Sequence, residues 1–269
     1  MIDEDLLEYY LSNRYTQDLT DFNENLKHLA KTMEEIDYSN RVLGRRFEEE
    51  YEDIRSYEDL EDFLRKYKNI TDDLVDNYTR QNRYAQENLD SDYLFSKKAY
   101  SMSEDLCNSN DNISDRDCYE YSNLTLDQIC DLKKAKAYKA ADKHLENNKD
   151  AYEEFGRAIR DYRNIDSPSV YMLDECSDMI SSYRIYSKFC AMGFDEREVE
   201  DKWSDFSMLS SNVRDNLEYI QSQTRKYYYI TEDYAPIVRN MQSAYEQTDD
   251  YHQTQEQSIY REDISEYLK

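Results

Sequence analysis

Residues 15–36, YTQDLTDFNENLKHLAKTMEEI, decide the fold class. Tyr15, Leu19, Phe22, Leu26, Leu29, Met33 and Ile36 follow one another at steps of 4, 3, 4, 3, 4 and 3, with mostly polar and charged residues between them. That is the heptad rhythm of a coiled-coil seam, and it predicts one long helix with a narrow apolar stripe. Past Ile36 the rhythm meets Asn40, resumes at Leu43 and Phe47, continues near Ile54, and shifts phase toward Leu60, Leu64 and Tyr67. Gly44 and Ser56 are the two candidate points for a stutter or a helix break.

Composition supports helices elsewhere. The 269 residues include only three Gly and two Pro, against average usage of about 7% and 5%. Such a chain has few residues for tight turns or phosphate-cradling loops, so sheet-rich folds and nucleotide-binding loops are disfavoured. A formal charge of −26, from 60 acidic and 34 basic residues, opposes nucleic acid and anionic membranes as direct ligands. The 28 tyrosines supply aromatic surface for a core and argue against disorder.

Five short stretches place Ile before a capping residue and acids or Pro: IDED at 2, ITDD at 70, ISDRD at 113, IDSP at 165 and ITED at 230. Each predicts a helix start, capped by Asp3, Thr71, Ser114, Asp166 or Ser167, and Thr231. Thr125 with Gln128 forms a capping box for a helix running toward Arg163. The Ser167-Pro168 start leads to a helix ending near Gly193. Asp195 opens the next, to about Tyr229, and Pro236 falls in the first turn of the last. Residues 103–123 are rich in Ser, Asn and Asp and lack helical rhythm.

The expected architecture is all-α: an elongated antiparallel helical bundle or coiled-coil-like stack of about six to eight helices without a sheet. A heptad-bearing section covers 1–107, with 2–21 and 70–90 a candidate duplication that shares Asn-Arg-Tyr-x-Gln. A polar loop follows at 108–123, and a C-terminal bundle spans 124–269. No apolar run is long enough to span a bilayer. Five cysteines in no zinc spacing, without a signal peptide, predict reduced thiols in a cytoplasmic or intracellular setting. An extracellular protein would instead need a Cys107–Cys118 bridge.

Chemistry-bearing motifs are sparse. Asp72 and Asp76 share a helix face and have the spacing of an Mg²⁺–diphosphate site. The cap at Thr71 explains them fully, and with Leu74 inward they face solvent. None of His28, His144 and His252 has Glu three positions earlier, as a di-metal carboxylate bundle requires. Asn108, Asn110 and Asn112 make a poor calcium loop, with Ile113 at the position that needs Gly. No cofactor and no metal are expected. Asn69, Asn77, Asn112 and Asn123 carry glycosylation sequons, which matter only on a secreted chain.

The tyrosines are the better clue. Tyr227, Tyr228 and Tyr229 span about 200° of a helix, so they cannot all be buried, and Tyr9 and Tyr10 pose the same problem. Outward tyrosines are candidate protein contacts. The sequence thus leads to a structural or scaffolding protein acting through acidic, tyrosine-rich helices, with protein partners that could include a second copy. The competing readings are an acidic decoy or chaperone for a basic protein, and a small Mg²⁺-dependent enzyme using Asp72 and Asp76.

Overall fold

The computed structural model describes residues 4–108 and 115–255. Among these no strand occurs, and eight helices follow in order: α1 Glu4–Tyr10, α2 Asn13–Glu52, α3 Tyr57–Cys107, α4 Asp115–Glu120, α5 Leu126–Arg163, α6 Tyr171–Met179, α7 Ser182–Ala191 and α8 Glu196–Gln255. The chain is all-α with bundle-like helix packing. No helix among the described residues is long and apolar enough to cross a membrane. The expected caps Asp3 and Ser114 and the loop residues Asn110 and Asn112 lie outside the described residues.

Helix ends form where side chains satisfy the orphan backbone groups. Ser56, not Gly44, separates α2 from α3. The Asp59 amide donates to Ser56 Oγ at 3.1 Å, and Asp59 Oδ2 accepts from the Arg55 amide at 2.9 Å. The Thr125–Gln128 box opens α5 through reciprocal bonds of 2.9 and 3.3 Å. Asp195 opens α8, accepting from the Arg197 amide at 2.8 Å while its own amide donates to Glu198. Gly193, at φ 89°, closes α7. The Phe194 amide there reaches back to the Phe189 carbonyl, a Schellman ending that needs the left-handed region.

Several expected helix starts are helix interiors instead. Thr71 lies within α3 and is fully buried, its Oγ1 donating to the Tyr67 carbonyl at 2.8 Å. Thr231 lies within α8 and donates to the Tyr228 carbonyl. A threonine hydroxyl can bond the preceding turn of its own helix, so Thr-Asp-Asp and Thr-Glu-Asp do not require a helix to begin. Pro236 is inside α8 rather than in a first turn. The Ser167-Pro168 stretch precedes α6, and a break at Ile180 and Ser181 separates α6 from α7. Within 108–123, Asp115–Glu120 is a short helix and not loop. In the candidate duplication, Leu11 and Ser12 interrupt the first copy, whereas the second runs unbroken through α3.

The chain forms two compact units, neither a continuous stretch. Unit 1 comprises 1–27, 88–163 and 233–269, and unit 2 comprises 28–87 and 164–232. The Tyr15–Ile36 seam is buried throughout, each residue 2% exposed or less. In unit 1, Phe22 meets Phe95 of α3 and Phe155 of α5 at ring distances of 6.0 and 5.8 Å.

In unit 2, Phe47 meets Phe63 and Tyr67 at 4.8 and 4.6 Å. There the contacts Phe47–Tyr67 and His28–Gln81 run in opposite sense along α2 and α3, as a short connection dictates. Asn40, where the apolar rhythm falters, is a buried seam residue bonded through both ends of its amide. Its Nδ2 donates to Thr224 Oγ1 at 3.0 Å, and its Oδ1 accepts from Tyr78 Oη at 3.0 Å.

Gly44 has a packing role. A Cβ there would lie 2.7 Å from the Met172 Cβ, so α6 seats against the bare backbone of α2. Gly44→Ala gains about 1 kcal/mol of helix propensity but overpacks a contact close to the Met172 backbone. The expected result is a net loss of about 1–2 kcal/mol in urea unfolding, which Met172→Ala should not recover because alanine keeps the clashing Cβ.

Candidate functional site

An open cleft of about 220 Å³ lies between α2 and α3 within unit 2. Val42, Leu43, Ile70 and Leu74 give it an apolar floor, Tyr38 stands at its rim, and Arg46, Glu50, Lys66 and Tyr67 line its polar wall. Tyr38 is 67% exposed, while Tyr67 is buried. Antiparallel packing creates the cleft, because the off-seam pairs Tyr38/Val42 and Ile70/Leu74, each four residues apart, rise from facing helices.

The polar wall is unequal in charge. Lys66 Nζ holds both oxygens of Glu50 at 2.6 Å. Burial pushes the Tyr67 hydroxyl well above its ordinary range, and Glu50 adds to the shift. The phenol therefore stays protonated. Arg46 forms no ion pair among the described residues, so the wall carries one surplus positive charge.

The residues singled out by sequence are dispersed. Tyr10 and Tyr227 are 1% and 0% exposed, so both are core rings and not contact residues. Tyr10 fails as a contact because it stacks on His144 at 3.5 Å. Tyr9 is half-buried, donating to Asp18 at 2.5 Å. Tyr228 is half-buried, and Tyr229 is 60% exposed. The seam from Tyr15 to Ile36 closes inside the chain, which removes it as a surface for a second copy.

Asp72 is part-exposed, with 45% of its side chain accessible, and is bonded at the same time. It accepts from Lys68 Nζ at 2.6 Å and Asn216 Nδ2 at 2.7 Å, and these donors, Lys68 foremost, hold its carboxyl below the usual carboxylate range. Asp76 is exposed. The inward face of α3 here carries Thr71, Tyr78 and Asn82, while Leu74 is half-buried at the cleft. Among the described residues, no three His, Cys, Asp or Glu side chains converge as a metal centre needs. All five cysteines are unbridged, and only Cys118 is exposed.

Two buried polar clusters in unit 1 escape any sequence motif. His144 is fully buried, with Nδ1 2.8 Å from the Tyr10 carbonyl and Nε2 2.8 Å from Tyr152 Oη. The carbonyl only accepts, so Nδ1 carries the proton and Nε2 accepts from Tyr152. Tyr152 in turn sits 2.9 Å from Tyr15 Oη. Burial pushes the imidazole down to about 3, so it is neutral.

The second cluster is Asp92, 5% exposed. It accepts from Tyr234 Oη at 2.8 Å and from Asn25 Nδ2 at 3.1 and 3.2 Å. Burial pushes its carboxyl up to about 6 despite both donors. Neither cluster opens on a described cleft, so both read as core architecture.

Comparison with known protein families, characterised proteins and solved structures found no match to this chain. The functional reading therefore rests on its own residues. The cleft was accessible from sequence only as two apolar i,i+4 pairs lying off the main seam.

Proposed function

We propose that this chain is a non-enzymatic scaffold that works by contact with other proteins through outward tyrosines. One observation carries the reading. Tyr38, Tyr171, Tyr183 and Tyr229, all in unit 2, are 67%, 61%, 76% and 60% exposed. The core meanwhile has ample aromatic filling in Tyr67, Tyr78 and Tyr227. These rings therefore add nothing to the core, and tyrosine is favoured at contacts because it brings large area at low conformational cost.

The decoy reading fares less well. Residues 133–143 hold Lys133, Lys134, Lys136, Lys139 and Lys143 against Asp142 alone, so the surface is not uniformly acidic as a charge mimic would be.

The test replaces Tyr38, Tyr171, Tyr183 and Tyr229 by Ser together. The variant should keep the helical content and unfolding midpoint of the wild type, since surface changes usually cost little. It should lose proteins that the wild type captures under native conditions.

A further inference from the structure

We infer that the cleft between α2 and α3 receives one large apolar side chain of a protein partner that presents a carboxylate within a helical turn of it. The kind of occupant rests on the scaffold reading, while the chemistry rests on the cleft itself. Its volume of about 220 Å³ lies below the roughly 300–1,000 Å³ of small-molecule sites. It suits a single Phe or Leu anchor of the kind that dominates protein contacts. The floor of Val42, Leu43, Ile70 and Leu74 has nothing to offer a polar group.

The wall selects for charge. Glu50 is already answered by Lys66, which leaves Arg46 as the charge of this wall without an ion pair among the described residues, in a chain of net −26. A guanidinium takes a carboxylate in a two-pronged geometry that a lysine cannot offer. An anchor next to Asp or Glu therefore fills the floor and neutralises the wall together. A basic partner would meet Arg46 with like charge. In a chain of net charge −26, that makes the cleft a local exception to the acidic surface.

The experiment titrates the full chain with a capped, alanine-based helical peptide carrying Phe and, four residues on, Glu, following backbone amide shifts by NMR. Saturable shifts should appear at Ser39, Val42 and Ile70. Replacing the peptide Glu by Gln, or Arg46→Ala in the protein, should weaken binding about threefold, the scale of a partly exposed ion pair.

Val42→Glu should abolish the shifts at unchanged fold. Val42 is half-buried, and a carboxylate one turn before Arg46 takes the guanidinium while blocking the floor. Equal binding of the Glu and Gln peptides would overturn the charge pairing. Absence of shifts in the wild type would overturn the site. Binding of 4-phenylbutyrate as tight as that of the peptide would assign the cleft to a free small carboxylate. If the four-tyrosine variant keeps its captured proteins while these shifts occur, the scaffold reading falls and the cleft chemistry stands. Loss of capture without shifts gives the reverse.

Discussion

His144→Ala is expected to destabilise the chain by about 3–5 kcal/mol, read as a fall in the urea midpoint followed by circular dichroism. Two losses combine. The ring stacked on Tyr10 leaves a cavity that packed neighbours cannot fully close. Its removal also strands the Tyr10 carbonyl, a buried group that costs about 1–3 kcal/mol when unpaired, and leaves the Tyr152 hydroxyl with Tyr15 in place of two partners. Tyr152→Phe separates the two losses. It keeps the ring volume but removes the oxygen that donates to His144 and meets Tyr15, so a smaller loss of about 1–3 kcal/mol is expected. A His144→Ala loss below about 1 kcal/mol would mean that the network is not a structural centre of unit 1.

The imidazole also makes stability depend on pH. Its folded value is pushed down to about 3, below the ordinary value near 6.5. The unfolded chain therefore takes up a proton that the folded chain refuses. Its contribution is intact above about pH 6.5 and is lost as pH falls toward 3, at about 1.4 kcal/mol per unit.

Asp92→Asn is expected to stabilise the chain at pH 7.5 by about 1–2 kcal/mol. The buried carboxyl titrates near 6, against about 3.9 when unfolded, so holding it ionised costs up to about 3 kcal/mol at that pH. Asparagine removes the charge but turns one N–H toward a donor, Tyr234 or Asn25, which offsets part of the gain. Because the folded pKa is raised, the penalty is absent below about pH 4 and fully present above about pH 6. The advantage of the variant should therefore vanish by pH 4. A variant less stable than the wild type at pH 7.5 would show that the two donors outweigh the burial.

Between about pH 4 and 6 the two groups pull in opposite directions. Protonation of the folded Asp92 favours the native state, while protonation of the unfolded His144 opposes it. Removing either should uncover the slope of the other, which makes the pair of variants a stricter test than either alone.

Much of the fold was legible because heptads repeat. The Tyr15–Ile36 seam marks a buried stripe, and the Thr125–Gln128 box and Arg163 mark both ends of α5. The misreadings have a common cause: local chemistry permits a helix start without requiring one, as at Thr71 and Thr231. A second heptad at Tyr227, Ile230, Tyr234, Ile237, Met241 and Ala244, all buried, runs straight through the expected start at Thr231. It also identifies which ring of the Tyr227–Tyr229 row is core.

His144 and Asp92 had no local signature, because their partners come from α1, α2, α5 and α8 and meet only on folding. The cleft was hidden for a similar reason. Val42 and Ile70 look like ordinary apolar residues until two helices are set side by side.

The most direct measurement compares native capture by the wild type with capture by the variant carrying Ser at Tyr38, Tyr171, Tyr183 and Tyr229, with cross-links in each complex mapped by mass spectrometry. The scaffold reading predicts partners that the wild type holds and the variant releases, with cross-links on the outward faces of unit 2. The same proteins captured by both chains would contradict it, as would cross-links to a second copy along the Tyr15–Ile36 seam.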